Sequence, residues 1–238
     1  MSTDAGSETP SNYRFQYLYT ALLAMEMYNR KNDFVELICE YDDDITAKDE
    51  EGGLTSYQVT RSDYVRTVPN EKIVKSIQHF LDLCKNKNYK RFYLVSNQRI
   101  GDITEKTGPP KFLVGRLIGK YSKQLEFDKA YAESHNCFNK IGFRIVPDAI
   151  GLRMLIHKEI IYALGDIHYT KLDNITEQLV SLVEKCSQAS YREESLYYTS
   201  NKEDAVKQLN KDNSTITIFQ IFVALLWIFQ LPTKMRNI

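Results

Sequence analysis

The sequence predicts an α/β fold: an αβββαβ unit with a mixed sheet over the first hundred residues, then a mainly helical region. Three observations predict it. An amphipathic stripe opens the chain, three short strand-forming runs separated by turn residues follow, and a second amphipathic stretch leads into a wholly apolar run at 92–95. In the opening stripe Phe15, Leu18, Tyr19, Leu22, Leu23 and Glu26 recur at i, i+3, i+4, i+7, i+8 and i+11, which places a helix over 12–30. Residues 34–41 (FVELICEY) are rich in strand formers and close on the acidic turn Asp42, Asp43, Asp44. A short strand at 45–48 follows. The run Asp49, Glu50, Glu51, Gly52, Gly53 supplies a turn, and 54–60 (LTSYQVT) reads as a third strand, completing a meander. Helical period returns over 70–86, with Ile73, Ile77, Phe80, Leu81 and Cys84 on one face and Lys72, Lys75 and Asp82 elsewhere. The apolar run at 92–95 suits a strand buried on both faces. A strand, helix, strand order makes it parallel to the third strand through a right-handed crossover.

Beyond about 105 the pattern is largely helical: 112–125, 127–140, 149–164, 172–190 and a terminal apolar run at 216–231. Pro109-Pro110 marks a hinge. The organisation expected is a polar tail over 1–11, a first domain over 12–104 and a helical region over 105–238 suited to dimerisation or docking. The terminal run is interrupted by Gln220 and Gln230 and falls short of the roughly 20 residues of a membrane span, so a buried helix is expected there.

Composition narrows the function classes. Hydrophobic residues make up 43% of the 238, aromatic residues 12% and charged residues 26%, which excludes a disordered, collagenous or coiled-coil chain. Thirty-one basic and thirty-one acidic residues cancel, so the chain is not a wholesale polybasic nucleic-acid binder, though a local basic groove remains open. Basic residues do cluster at Lys85, Lys87, Lys90 and Arg91, and at Lys106, Lys111, Arg116 and Lys120 with Phe112 and Tyr121 among them. They read equally as phosphate contacts or as a solvated surface balanced by nearby acids. The four cysteines are far apart with no C-x-x-C pair, which reads as four buried thiols in a reducing cytoplasm. The polar tail has no secretory h-region. No G-x-x-x-x-G-K-[ST] loop occurs, and the four histidines form no i, i+4 pair, so nucleotide hydrolysis and histidine catalysis find no support.

One constellation carries chemistry. Alternation puts Gln58 and Thr60 on one face of the third strand, and the Asp43-Asp44 turn opening the second strand lies beside that face, with Glu40 ending the first strand nearby. Hard cations take oxygen ligands, so aspartates, an amide oxygen and several waters form a sensible Mg2+ shell, with Mn2+ as a substitute. Such an ion would polarise a phosphodiester and lower the pKa of a bound water, while a neighbouring cation steadies the developing phosphate charge.

Phe15-Gln16 on the first helix, Glu40-x-x-Asp43-Asp44-Ile45 after the first strand and Tyr57-Gln58-Val59 on the third resemble the PD-(D/E)XK nucleases. The nearest resemblance is to the double-stranded DNA endonuclease domain at the front of bacterial CBASS anti-phage effectors, and it covers about residues 10–100. It implies a restriction-endonuclease-like core and metal-dependent cleavage of double-stranded DNA. Asp44 would be the principal metal ligand, with Glu40, Asp43 and Gln58 completing the set. The resemblance further implies a signal-sensing partner or subunit, while a homo-oligomer is compatible with the helical region. The family's third strand carries Gln-x-Lys or Glu-x-Lys; here the sequence is Gln58-Val59-Thr60, and a hydroxyl cannot carry the lysine's charge. Lys72 or Lys75 from the following helix, or Arg61 or Lys48 from nearby turns, are the cations available to replace it, and Glu26 could add a carboxylate. The competing reading is a catalytically silent DNA-binding or scaffold protein that kept the fold after losing the lysine.

Overall fold

The computed structural model describes residues 10–39, 43–61, 67–68, 70–86, 88–100, 132, 136–190 and 215–217. Helix α1 spans Pro10–Tyr28, followed by strands β1 (Phe34–Cys39), β2 (Ile45–Asp49) and β3 (Leu54–Thr60). The short β4 (Thr67–Val68), helix α2 (Asn70–Asn86), β5 (Tyr89–Ser96) and the short β6 (Arg99–Ile100) come next. A single-turn α3 (Cys137–Lys140), β7 (Ile141–Ile145), α4 (Ala149–Leu164), α5 (Tyr169–Ser190) and β8 (Thr215–Thr217) complete the described elements.

The main sheet has the order β7-β5-β3-β2-β1-β8, and β4 and β6 form a separate two-stranded piece. β1, β2 and β3 are the antiparallel meander that the turn residues predict. Its second turn is held by the Asp49 carboxylate, which accepts hydrogen bonds from the backbone N–H groups of Glu51 at 3.0 Å and Gly53 at 2.7 Å. Gly52 there has φ +80°, a conformation that glycine adopts without steric cost. β5 then runs parallel to β3, as the strand, helix, strand order requires, and β7 runs parallel to β5.

Each face of the sheet buries its own apolar layer. On one, Leu37, Cys39, Ile45, Ala47, Tyr57 and Val95 pack against α1, with α4 and α5 beyond it. On the other, Tyr89, Phe92, Leu94 and Ile141 meet the Ile73, Ile77, Phe80, Leu81 side of α2. α2 shows the polar outer face its period predicts. α1 does not: Gln16, Thr20, Ala21, Ala24 and Met27 are buried along with the predicted stripe, because α4 and α5 cover the side that would otherwise meet solvent.

Three further features depart from the sequence reading. Residues 141–145 form a sheet strand rather than an interval between helices, with Ile141 and Phe143 directed toward the α2 layer. Gly142 lies where a Cβ would come within 2.8 Å of the Tyr93 ring, so only glycine leaves room for that ring against β7. Ile216 and Thr217, expected to begin a helix, belong instead to β8, which pairs antiparallel with β1; the remainder of the apolar run lies outside the described residues. Cys84 and Cys137 are joined in a disulfide between α2 and α3, while Cys39 and Cys186 are buried thiols. That pairing depends on α3 folding back onto α2 across 53 residues, which spacing alone could not reveal. Among the described residues no helix is long and apolar enough to cross a membrane.

Candidate functional site

The register of the meander decides which side chains meet. Thr46 lies opposite Ser56 and Ile45 opposite Tyr57, and across the other edge of β3 Ser56 pairs with Phe92, Gln58 with Leu94 and Thr60 with Ser96. Since Phe92 and Leu94 face α2, so do Thr46, Ser56, Gln58 and Thr60. Continuing the β2/β3 register by one residue brings Asp44 level with Gln58.

Both aspartates are tied to β3 around Gln58. The Asp43 side chain is 3% exposed; one of its oxygens accepts a short hydrogen bond from the Ser56 hydroxyl, and the other lies 3.6 Å from His79 Nε2 on α2. Asp44 Oδ2 accepts the backbone N–H of Val59 at 2.5 Å. Between these anchors the Gln58 side-chain oxygen is buried and, among the described residues, has no hydrogen-bond partner; the same holds for the Thr46 hydroxyl. Leaving a buried polar atom unpaired costs about 1–3 kcal/mol, so its retention beside two carboxylates calls for a partner. A hard divalent cation is such a partner: oxygen donors suit it, and carboxylates plus an amide oxygen leave several positions for water. Asp43, Asp44 and Gln58 therefore fit the metal that the residue types imply. Among the described residues no three His, Cys, Asp or Glu side chains are grouped so as to hold a metal ion. Glu40 lies outside the described residues.

The substitute cations separate clearly. From the first turn of α2, Lys72 Nζ reaches to 3.5 Å from Thr60 Oγ1, the position where the PD-(D/E)XK pattern has its lysine. The contact is long and contributes little stability, but it locates the ammonium beside Thr60. Lys75 is exposed on the same helix. Lys48 is 3.2 Å from Glu36, and the Arg61 guanidinium lies 5.9 Å from the centre of the Phe15 ring, on the α1 side. Glu26 lines a cavity with Tyr57, Asp49 and Arg144, on the opposite face of the sheet. It adds no carboxylate to the Asp43-Asp44 pair. Burial pushes the Glu26 carboxyl above its usual range, opposed by the nearby Arg144.

Ser56 and His79 join the site without having been singled out from the sequence. The signal for Ser56 was the two-residue period that pairs it with Gln58; that for His79 was its place seven residues after Lys72, on the same side of α2. Of the basic clusters, Lys85 pairs with Asp82 at 2.9 Å and Lys90 with Asp49 at 2.7 Å and Glu51 at 2.8 Å, a balanced surface. Lys87 and the cluster at 106–120 lie outside the described residues.

Comparison with known proteins places this geometry in a family. The family model for Cap4, dsDNA endonuclease domain, matches residues 4–190. No curated protein matches the sequence. Among solved structures, an Acinetobacter baumannii Cap4 SAVED/CARF-domain containing receptor with the cyclic trinucleotide 2'3'3'-cAAA superimposes with a TM-score of 0.58 at 12% identity, over 94% of this chain and 46% of that one. The same kind of receptor with 3'3'3'-cAAA gives a TM-score of 0.60 at 10% identity, over 94% and 46%. The chain thus spans less than half the length of these receptors, and at such identity the likeness establishes the fold. Taken with the family match over most of the chain, it makes this protein a member of the Cap4 dsDNA endonuclease domain family, the PD-(D/E)XK-type nuclease domain of CBASS effectors.

Proposed function

We propose that the chain hydrolyses phosphodiester bonds of double-stranded DNA at the Asp43, Asp44 and Gln58 site, with Lys72 standing in for the lysine that Thr60 replaces. The observation that carries this reading is the position of Lys72 Nζ, 3.5 Å from Thr60 Oγ1, on the same face of the sheet as Gln58. A cation there keeps the charge of the motif while arriving from a helix instead of the strand.

In this reading Asp43, Asp44 and Gln58 would hold Mg2+, or Mn2+ in its place, with Glu40 as a further ligand. The metal, when bound, supplies a Lewis acid that polarises the phosphodiester and makes a coordinated water more acidic. The chain's own residues do the rest. The Val59 N–H and the Ser56 hydroxyl fix the two carboxylates against β3, and His79 steadies Asp43 from α2. The Lys72 ammonium holds a non-bridging phosphate oxygen and offsets the charge that accumulates on it. Lys75, farther along the helix, would contact the DNA backbone rather than the reacting phosphate. The related A. baumannii receptors carry cyclic trinucleotides, and cleavage here is expected to answer to such a signal through a sensing part or subunit; family membership supports phage DNA as the target.

The test is plasmid cleavage at low salt with Mg2+ or Mn2+, with and without cyclic trinucleotides. The wild-type chain is expected to nick or linearise plasmid, Asp44→Ala and Lys72→Ala to lose about 10²-fold or more, and Lys75→Ala to lose far less. Intact plasmid in every wild-type reaction would favour the silent scaffold instead.

A further inference from the structure

A cavity of about 450 Å3 opens on the α1 face of the sheet, reaching from Tyr57 and Arg144 to the end of the strands opposite the acidic turn. Its position follows from the register: Asp49 ends β2, Thr55 is near the start of β3, and Lys90 and Arg91 begin β5. Asp43 and Asp44, by contrast, precede β2 and bond to Ser56 and Val59 farther along β3. Tyr57 lies in β3 between Ser56 and Gln58 but on the α1 face, so the sheet separates the cavity from the candidate nuclease site.

Its interior holds hydrogen-bond donors without acceptors. Tyr57 is 0% exposed, yet among the described residues its hydroxyl has no hydrogen-bond partner. The side-chain amide nitrogen of Asn32 is likewise buried and unpaired, although its Oδ1 accepts the Phe34 N–H. Above them the half-buried Arg144 guanidinium lies 4.3 Å from the centre of the Tyr93 ring and 5.4 Å from that of Tyr57, with Nη1 3.3 Å from the Tyr19 hydroxyl. Among the described residues Arg144 has no ion-pair partner. Other charges at the cavity are matched: Lys90 by Asp49 at 2.7 Å, and Lys31 by Glu159 at 2.6 Å. Asp33 stands beside Arg91, leaving Glu26 to face Arg144. Burial raises its carboxyl above the usual range, opposed by its attraction to Arg144.

Arg144, Asn32 and Tyr57 line one cavity, and a guanidinium fork, an amide N–H2 and a phenol O–H together select an acceptor-rich anion. The space exceeds what a free phosphate ion fills and lies in the range of small-molecule sites. We infer that this cavity is a second ligand site that takes a phosphate-bearing molecule of mononucleotide size, with Arg144, Asn32 and the Tyr57 hydroxyl donating to its phosphate.

The inference is independent of nuclease activity, and its test reads binding alone. The full 238-residue chain is titrated calorimetrically with dAMP, with inorganic phosphate and with deoxyadenosine, without divalent metal. Binding of dAMP is expected, with deoxyadenosine at least about tenfold weaker, because a charge-assisted contact is lost. Comparable binding of inorganic phosphate would assign the site to the free ion, and weak binding to the nucleotide; either keeps the oxyanion. Tyr57→Phe removes only the unpaired hydroxyl, so it should weaken dAMP severalfold without lowering the ligand-free Tm. Arg144→Lys, which keeps the charge but loses the fork, should weaken it by about tenfold. Glu26→Gln should strengthen it, and Asp44→Ala should leave it unchanged. Absence of binding to dAMP and phosphate at millimolar concentration overturns the inference. So does binding that survives both Tyr57→Phe and Arg144→Lys, or that disappears with Asp44→Ala.

Discussion

At the scale of single residues, two acids that line one cavity act in opposite directions. Asp49 accepts a hydrogen bond from Lys90 as well as the backbone N–H groups of Gly53 and Glu51, and these hold its carboxyl below its ordinary value of 3.8. A lowered folded-state pKa means stability that is present above the unfolded pKa and lost as pH falls through the folded one. Asp49→Asn should therefore lower the Tm at neutral pH, and the gap to wild type should close as pH drops below 3.8. Glu26 has the reverse sign. Burial raises its carboxyl above 4.5, so its ionised form is a cost that grows as pH rises through the folded value. Glu26→Gln should raise the Tm at pH 7, with the difference vanishing below 4.5; a lower Tm at pH 7 would show that attraction to Arg144 outweighs desolvation.

Elements were legible wherever the pattern was local. The meander follows from turn residues between β-forming runs, and α2 from a strict apolar period that ends where the polar residues of the next turn begin. β7 was missed because Ile141, Phe143 and Ile145 alternate over only five residues between helical stretches, too short a span for period two to stand out. The all-round burial of α1 was hidden for another reason: whether its outer face meets water depends on α4 and α5, more than a hundred residues away. The candidate site divides in the same way. Asp44 and Gln58 could be placed together from strand alternation, but the approach of Lys72 to Thr60 is set by how α2 lies across the sheet. That crossing rests on the Phe80–Phe92 stack, ring centres 5.3 Å apart, both rings fully buried. Phe92→Ala should cost about 3–5 kcal/mol in denaturant unfolding. Because the same layer positions α2, cleavage should weaken even in the fraction that stays folded.

For the whole molecule, the sheet separates two chemistries. The α2 face gathers carboxylates and an unpaired amide oxygen, and the α1 face gathers unpaired donors around Arg144. A divalent ion that binds only the folded chain must raise its stability by mass action. Millimolar Mg2+ or Mn2+ is expected to raise the Tm, reversibly on adding EDTA. Gln58→Met should abolish that rise without lowering the metal-free Tm, since it removes a buried acceptor that has no partner among the described residues. An equal rise in wild type and variant would place the ion elsewhere.

The central claim is that the missing strand lysine has been replaced by one on the neighbouring helix, and moving the charge back tests it most directly. Plasmid cleavage is measured for Lys72→Ala and for the double variant Lys72→Ala/Thr60→Lys. Loss of cleavage in the first and its substantial recovery in the second is the predicted result. Full activity in Lys72→Ala, or a double variant as inactive as the single one, would contradict it.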